Sequence, residues 1–547
     1  VERHSGRREL KHSVFRQSEL ASQKSKGGLS MDRSMLGCML LSMILLSCTS
    51  NVTQKPASVA TPPVTVFAVS SGDVSSNSAI VWARATGRTE ISVQYDTDPS
   101  FSRPRSAGAA QAASETDFTA KFSLKGLTPK TIYYFRVRSS LGRRQDSSGL
   151  ADGMDGQFRT APAPDDDAPV SFLLGGDTGG QGYCRRVGTG YLIYSSMRAL
   201  DADFYIQNGD GVYVDYACPE SGPEPGWQNI PGDFLRLADP AFDWRDRPLV
   251  RETILAHYRY NWDDQHLKEF LRSISTYAQW DDHEVIDDFG AQWTFWNPLD
   301  ERPGFPILVQ EGLSVFLNYW PIARNPVEPA RIYRSFRWGK NLELFLLDTR
   351  SYRSRNNLPD SAENGKTLLG KAQLAWLKNG LITSTATWKI VSSTCPLASS
   401  AMGGNYPVIG EDCWAHGSAP DASSQTGFTR ELVDLMTFLD EHDVKNMVWI
   451  ATDVHHVEST RYAFDGNHDG RSMVFHEFLV GPLSASVGPL GPFDNTLNPT
   501  HLFRKTGIFN FGYFRIERRD NSSHFIAEVR DENGTLVPDS VVDLTAE

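Results

Sequence analysis

Long apolar runs are nearly absent from this 547-residue chain. The one stretch apolar enough to meet a membrane, Met35 to Leu46, is too short to cross a hydrocarbon core about 30 Å thick, and it reads instead as the apolar region of an export signal. No internal repeat is visible, so no repeat architecture is in view. Positive charge is also short, with Lys+Arg 54 against Asp+Glu 66 and a net charge of -12. Residues 1–30 hold seven Lys/Arg against three Asp/Glu, which leaves about -16 on the rest. A body of that charge repels nucleic acid and suits cations, so no nucleic-acid scaffold is expected as a partner. Cysteines number six. With Cys38 and Cys48 in the signal region, Cys184, Cys218, Cys395 and Cys413 remain, an even set compatible with two disulfides in an oxidising compartment. Spacing does not give the pairing. A near-neighbour scheme joins Cys184 to Cys218 and Cys395 to Cys413, and a thiolate metal ligand at Cys184 is the competing use. What is present is ordinary for a globular chain, at 40% hydrophobic, 22% charged and 11% aromatic. That excludes collagen-like, coiled-coil and wholly disordered chains and leaves room for two or more cores.

The apolar stretch ends in Leu45-Leu46-Ser47-Cys48, which resembles a bacterial lipobox, where cleavage before the cysteine leaves its thiol to carry a diacylglyceryl anchor. Residues 1–48 are therefore expected to be an N-terminal extension and lipoprotein-type signal. Cys48 would then anchor an exported protein at the periplasmic or extracellular face of the cell envelope. A plain signal peptide with an incidental cysteine is the alternative. Met31 and Met35 look like better translation starts than Val1. Residues 49–64, rich in Ser, Thr, Pro and Ala, read as a flexible tether. From 65 to 164 short alternating runs such as Ala79 to Arg84, Glu90 to Tyr95, Phe118 to Leu124 and Thr131 to Val137 point to a small all-β sandwich. Leu127-Thr128-Pro129 before its Tyr-rich strand resembles a fibronectin type III repeat, of Ig-like architecture.

From 168 to 547 apolar strands alternate with helical segments, as in a layered α+β or α/β domain with sheets flanked by helices. The strands expected are Phe172 to Gly175, Phe204 to Gln207, Ile274 to Gln279, Leu342 to Leu347, Trp388 to Ser392, Met447 to Ala451 and Met473 to Val480. Helices are expected at Tyr191 to Leu200, Ile254 to Asn261, Lys371 to Asn379 and Glu431 to His442. The Trp- and Pro-rich segment from Trp227 to Trp320 reads as an insertion over one end of the sheet, with its aromatics in local core.

The chemistry lies at the ends of the strands. Five of them run into acids: Gly176-Asp177, Gly209-Asp210, Asp281-Asp282-His283, Asp348 and Asp453-Val454-His455. The carboxyl ends of strands in an open α/β sheet line one crevice, so these acids are expected to converge. Clustered anions repel, which is tolerable only with cations among them, and an oxygen-rich set favours Fe(III), Ca, Mg or Mn. One acid after a strand is ordinarily a turn or a helix cap; five in register with strand ends are not.

Gly209-Asp210-Gly211-Val212-Tyr213 matches the Gly-Asp-x-x-Tyr element of binuclear metallophosphoesterases. Together with Gly175-Gly176-Asp177, Trp280-Asp281-Asp282-His283-Glu284, Leu347-Asp348-Thr349-Arg350, Thr452-Asp453-Val454-His455 and Glu477 to Leu483, it makes the chain from Val64 onward resemble the PhoD-like alkaline phosphatase/phosphodiesterase family. The resemblance implies a metallophosphoesterase-like catalytic domain behind a fibronectin-like domain and an export signal. It also implies two or more metal ions, Fe(III) plus Ca, with Zn, Mn or Mg as substitutes. Asp177, Asp210, Tyr213 and His455 would hold the ferric ion, and Asp210, Asp282 and Asp453 the divalent one. The reaction implied is hydrolysis of a small-molecule phosphate ester by a metal-bridging hydroxide. His283 would contact the phosphate or protonate the leaving group, or else orient Asp282. Asp281 and Asp348 would support the ligands, and Arg350 would sit behind them or touch the phosphate. Two departures stand out: Gly176-Asp177 fills the place where the family commonly has a cysteine ligand, and Asp177-Thr178-Gly179 lacks the usual histidine. A phosphodiesterase or phospholipase-like enzyme, and a non-catalytic surface lipoprotein, are the other functions open.

Overall fold

The apolar runs that precede the acids are strands buried on both faces, which is why they read as continuous rather than alternating. The computed structural model describes residues 64–140, 153–290, 303–356, 358–399, 414–415, 427–491 and 493–547, all within the unit Pro62–Glu547. The expected signal with Cys48, the tether up to residue 63, and Cys413 lie outside the described residues.

The N-terminal part holds β1 (Val66–Gly72), β2 (Ser78–Ala85), β3 (Thr89–Asp96), β4 (Arg105–Ala112), β5 (Thr119–Lys125), β6 (Ile132–Ser139) and β7 (Gly153–Arg159). Next come β8 (Val170–Gly175), α1 (Ile193–Arg198), β9 (Phe204–Asn208), α2 (Arg247–Trp262), α3 (Gln265–Leu271), β10 (Ser275–Gln279) and α4 (Phe305–Tyr319). The second half brings β11 (Arg334–Trp338), β12 (Leu342–Leu346), α5 (Gly370–Thr383), β13 (Trp388–Ser392), α6 (Thr429–Glu441), β14 (Met447–Ala451), β15 (Val457–Phe464) and β16 (Met473–Leu479). It closes with β17 (Pro499–Lys505), β18 (Asn510–Arg519), β19 (Ser522–Asp531) and β20 (Val542–Thr545). No helix among the described residues is long and apolar enough to cross a membrane.

Two large sheets pack face to face. One runs β20-β19-β18-β8-β9-β10-β1-β2-β5, the other β11-β12-β13-β14-β16-β15-β17. Phe172, Leu174, Phe204 and Ile206 from the first sheet meet Leu344, Ile390, Val448 and Ile450 from the second in one core. Helices α1 to α4 cover the outer face of the first sheet and α5 with α6 that of the second, each over its own apolar cluster. The result is the layered architecture, sheets flanked by helices, expected from the sequence. Strands β8, β9 and β10 are mutually parallel, as are β12, β13, β14 and β16, so the carboxyl ends within each set lie together. The segment from Trp227 to Trp320 supplies α2, α3, α4 and also β10, a strand within the first sheet, and Trp244, Trp262, Trp280 and Trp320 are core residues there.

The N-terminal strands form a sandwich with its own core, built on Val69, Val81, Val93, Phe122, Phe135 and Phe158. One of its sheets is β4-β3-β6-β7. The other, β1-β2-β5, continues the first catalytic sheet, because β1 pairs in parallel with β10 through Ser71 and Ser275. The joint is also ionic: Asp117, 2% exposed, accepts from Arg84 of β2, from Arg259 of α2, and from the Tyr319 hydroxyl at the end of α4. Burial opposes its charge, yet Arg259 and Arg84 hold the Asp117 carboxyl below its ordinary value of 3.8. The stability it contributes is therefore full above that unfolded value and fades as acid reaches the lower folded one. Asp117→Asn leaves buried Arg84 without its counter-charge, while Arg259 keeps Glu252, and is expected to cost about 3 kcal/mol in urea unfolding at neutral pH.

Candidate metal centre

Asp177, Asp210 and Asp453 leave their strands through turns of left-handed backbone. Asp177, Asp210, Asp453 and His455 have φ of 59°, 50°, 74° and 57°, a conformation that costs a residue with a side chain on the order of 1 kcal/mol. Gly481, at φ +105°, is needed as glycine, since a Cβ there would lie 2.4 Å from Asp177 Oδ2. The turns are stitched to one another: Thr178 N–H donates to the Asp210 carbonyl, Ser484 N–H to that of Asp177, and Val214 N–H to that of His283. Glu284, fully buried, binds two turns with one carboxylate by accepting N–H groups from Asp210 and Gly211 after β9 and from Asp281 after β10.

Three groups of ligand atoms result, in each of which the atoms lie within 4.8 Å of one another: Asp177, Asp210 and His455; Asp210, Asp282 and His283; Asp281, Asp282 and Asp453. Asp210 and Asp282 each belong to two groups. Tyr213 joins the first, its hydroxyl 2.9 Å from His455 Nε2, which is itself 3.7 Å from Asp177 Oδ1. His455 Nδ1 lies 2.6 Å from the Ser486 carbonyl, so that nitrogen carries the proton and Nε2 offers its lone pair. Ser486 is held in turn by Gln181.

The electrostatics are those of a site built for cations. Burial, then the Asp281 charge, pushes the Asp177 carboxyl well above the usual range; burial, Asp281 and Asp282 do the same to Asp453. Asp210 is also raised, chiefly by burial, although the His283 charge opposes this. Burial and the His283 charge depress His455 to about 4, which keeps its imidazole neutral and able to ligate. Asp177 Oδ2, Asp281 Oδ2 and Asp453 Oδ2 are buried with no hydrogen-bond partner among the described residues. Orphaned carboxylate oxygens beside a phenol and a neutral imidazole fit hard or borderline metal ions.

Arg350 is fully buried against the acids rather than open to solvent: Nε lies 2.5 Å from Asp281 Oδ1, and Nη2 is 3.8 Å from Asp282 and 3.9 Å from Asp453. Asp348 Oδ1 accepts from Trp280 Nε1 and from the N–H groups of Arg350 and Ser351, which sets the turn that carries Arg350. His283 Nδ1 lies 3.0 Å from both oxygens of Asp215, while the His283 N–H donates to Asp282. Sequence reasoning passed over Asp215 and quoted Glu284 only as part of a motif, without a role; the first falls two residues after Tyr213 in the same turn, which is the signal that could have marked it. Cys184 is no ligand, because it forms a disulfide with Cys218 that ties the turn after Asp177 to the turn after Asp210. Cys395 is buried and has no disulfide partner among the described residues.

The chain is also similar to known proteins in sequence and in fold. The sequence profile of the PhoD-like phosphatases matches residues 174–522, and that of the PhoD-like phosphatase N-terminal domain matches residues 50–162. Alkaline phosphatase D of Bacillus subtilis (strain 168) is 24% identical over 416 residues, 71% of this chain. The match spans 64% of that relative's length. In fold, a solved structure of PhoD superposes with a TM-score of 0.65 at 16% identity, over 88% of this chain and 92% of its own. A purple acid phosphatase from yellow lupin (Lupinus luteus) seeds gives 0.53 at 12% identity, over 88% and 74%.

Proposed function

This chain belongs to the PhoD-like phosphatase family, and from that membership we propose that it is a metal-dependent phosphoric ester hydrolase that releases phosphate from a small-molecule ester. The observation that carries the proposal is the meeting of Asp177, Asp210 and His455, with Asp210 shared by a second group of acids. In this reading Asp177, Asp210, Tyr213 and His455 would hold Fe(III), and Asp210, Asp282 and Asp453 would hold Ca or another divalent ion. Metal ions held there supply positive charge for the ester's phosphate and acidify a water for attack on phosphorus. The chain's own residues do the rest. Asp215 and the stacked Tyr213 ring, 4.1 Å from His283 between centroids, fix the imidazole. Although burial works against its charge, the Asp215, Asp282 and Asp210 carboxylates hold His283 well above its ordinary value. It is thus a proton donor for the leaving oxygen. Arg350 keeps Asp281, Asp282 and Asp453 from repelling one another. Elemental analysis of the natively purified protein should return iron and a divalent metal; chelation should abolish phosphate release and add-back restore it. Full activity in metal-free protein would overturn the reading. The same preparation assayed on a monoester and a diester decides between phosphatase and phosphodiesterase.

Export belongs to the proposal too. The Cys184–Cys218 disulfide favours an oxidising compartment, and Cys48 stands where a lipid anchor would be attached. Cys48→Ser is expected to move the protein from the membrane fraction to the soluble one after fractionation of expressing cells. Membrane association that persists with an uncleaved N-terminus would point to a signal anchor instead.

A further inference from the structure

We propose that Asp287 and Tyr216 receive the alcohol part of the ester and select alcohols that carry a primary ammonium group. The inference rests on the reading of the centre as a phosphoric ester hydrolase. Every residue from Ile274 to Gly290 is buried except Asp287, whose side chain is 56% exposed. Its Oδ1 lies 3.5 Å from His283 Nε2, and His283 shares a group of ligand atoms with Asp210 and Asp282. The Asp287 carboxylate therefore stands at the rim of the metal centre. Its backbone is fixed there, because the Asp287 N–H donates to Asp215 Oδ2 at 3.0 Å. Among the described residues it forms no ion pair with Lys or Arg. His283 lies between Asp215 and Asp287. Two carboxylates around one imidazole leave this rim negative in either form of the ring.

Tyr216 stands beside the same imidazole, with ring centroids 5.7 Å apart at an interplanar angle of 67°. Its backbone is held on both sides: the N–H donates to the Tyr213 carbonyl at 3.3 Å, and its own carbonyl lies 3.1 Å from Nε2 of buried His257. The half-buried side chain is not held in this way, and its hydroxyl makes no hydrogen bond to the described residues. A carboxylate, a phenol oxygen with room to accept and an aromatic ring are together a seat for an ammonium group. They are no seat for the phosphate, whose oxygens the carboxylate repels, so the phosphate belongs with the metal ions and the alcohol with this rim. A primary ammonium has three donors and can satisfy Asp287 and Tyr216 at once, whereas a quaternary one can donate to neither.

The test uses the full chain loaded with metal and two substrates of nearly one shape, ethanolamine phosphate and propyl phosphate, which differ by an ammonium group in place of a methyl group. Each is supplied as the monoester and as the methyl diester. The ammonium also makes the alcohol a better leaving group in every variant alike, so the quantity read is the change between parent and variant in the ratio of the two kcat/KM values. Asp287→Asn is expected to lower that ratio about tenfold, by raising KM for the ethanolamine ester and lowering KM for the propyl ester about twofold as repulsion of its phosphate is relieved. Tyr216→Phe, which keeps the ring and loses the hydroxyl, should lower the ratio about threefold, and Tyr216→Leu about threefold more. Metal content by emission spectrometry should equal the parent's in each. Movement of the two KM values in opposite directions is what a merely structural role does not produce. A ratio within about twofold of the parent's in Asp287→Asn, equal losses on both substrates, or loss of metal from that variant overturns the inference and leaves the hydrolase reading standing. A metal-loaded parent that hydrolyses none of these esters, nor para-nitrophenyl phosphate, overturns the hydrolase reading, and the selectivity falls with it.

Discussion

Asp210→Asn is expected to lower phosphate release on the order of 10³-fold or more and to reduce the content of both metals. The side chain is 1% exposed at the end of β9 and is common to two of the three groups of ligand atoms, so one substitution removes a charge from two metal positions at once. The amide that replaces it has the same shape and leaves the Thr178 N–H bond to the residue 210 carbonyl untouched. It cannot supply the negative charge that a bridging ligand must bring. The metal-free fold should not suffer. Asp210 is buried beside Asp282, Asp281 and Glu284, which together with burial drive its carboxyl upward, so an uncharged group there relieves crowding. The melting temperature of metal-free Asp210→Asn is therefore expected to match or exceed that of the metal-free parent, while metal no longer raises it as far. Parent-like activity and metal content in this variant would remove the two-metal reading.

Separating ligand from donor at the turn after β10 gives the second large effect. Asp282→Ala is expected to lose metal and activity together, because Asp282 belongs to two ligand groups and its Oδ2 also accepts the Asp288 N–H at 2.6 Å. His283→Ala should keep its metals and lose rate, on the order of 10²-fold or more on alkyl esters. The two residues are adjacent, yet they face different partners: Asp282 looks toward Arg350 at 3.8 Å, and the His283 ring toward Asp215 at 3.0 Å. Metal counts on the two variants decide the matter. If His283→Ala is stripped as thoroughly as Asp282→Ala, then His283 is itself a ligand, as its place in the group with Asp210 and Asp282 permits.

The strands that carry the site were legible because each is short, apolar and buried on both faces. β9 and β14 have no exposed residue, and nothing but core accommodates such runs. The expected segment Ile254 to Asn261 was only the C-terminal half of α2, which begins earlier, behind the Asp246 cap and a proline in its first turn. Helix α4 went unseen although its buried positions Leu308, Glu311, Gly312, Val315, Phe316 and Tyr319 recur at helical spacing, because the surrounding Trp- and Pro-rich segment was read as an insertion. The β18–β19 hairpin was missed despite a signal: Asp520 and Asn521, with φ of 47° and 68°, make the two-residue turn that right-twisted strands need. In the site, that Asp177, Asp210, Asp282, Asp453 and His455 lie near one another could be expected because strand ends converge. Asp215 and Glu284 act through the turns between those ends, where spacing follows no period. A cysteine ligand at Cys184 was a live alternative only because sequence distance cannot tell a thiolate from a half-cystine.

The parallel pairing of β1 with β10 also dictates an order of events during biosynthesis. β1 emerges from the ribosome early, but its neighbour in the sheet is made about 200 residues later, and closing so long a loop is slow. The hairpin of β1 with β2 can form at once, as can the local β3–β4 pairing. Trp82 must wait as well, since its ring neighbours Trp262 and Tyr319 and its hydrogen-bond partner at the Asn318 carbonyl are all synthesised much later. The nascent N-terminal half therefore travels with an open sheet edge and an uncovered tryptophan, the kind of surface that chaperones hold and that aggregates when they do not. Final assembly of the first half of the chain is thus a late, long-range event, completed only after α2, β10 and α4 are in place.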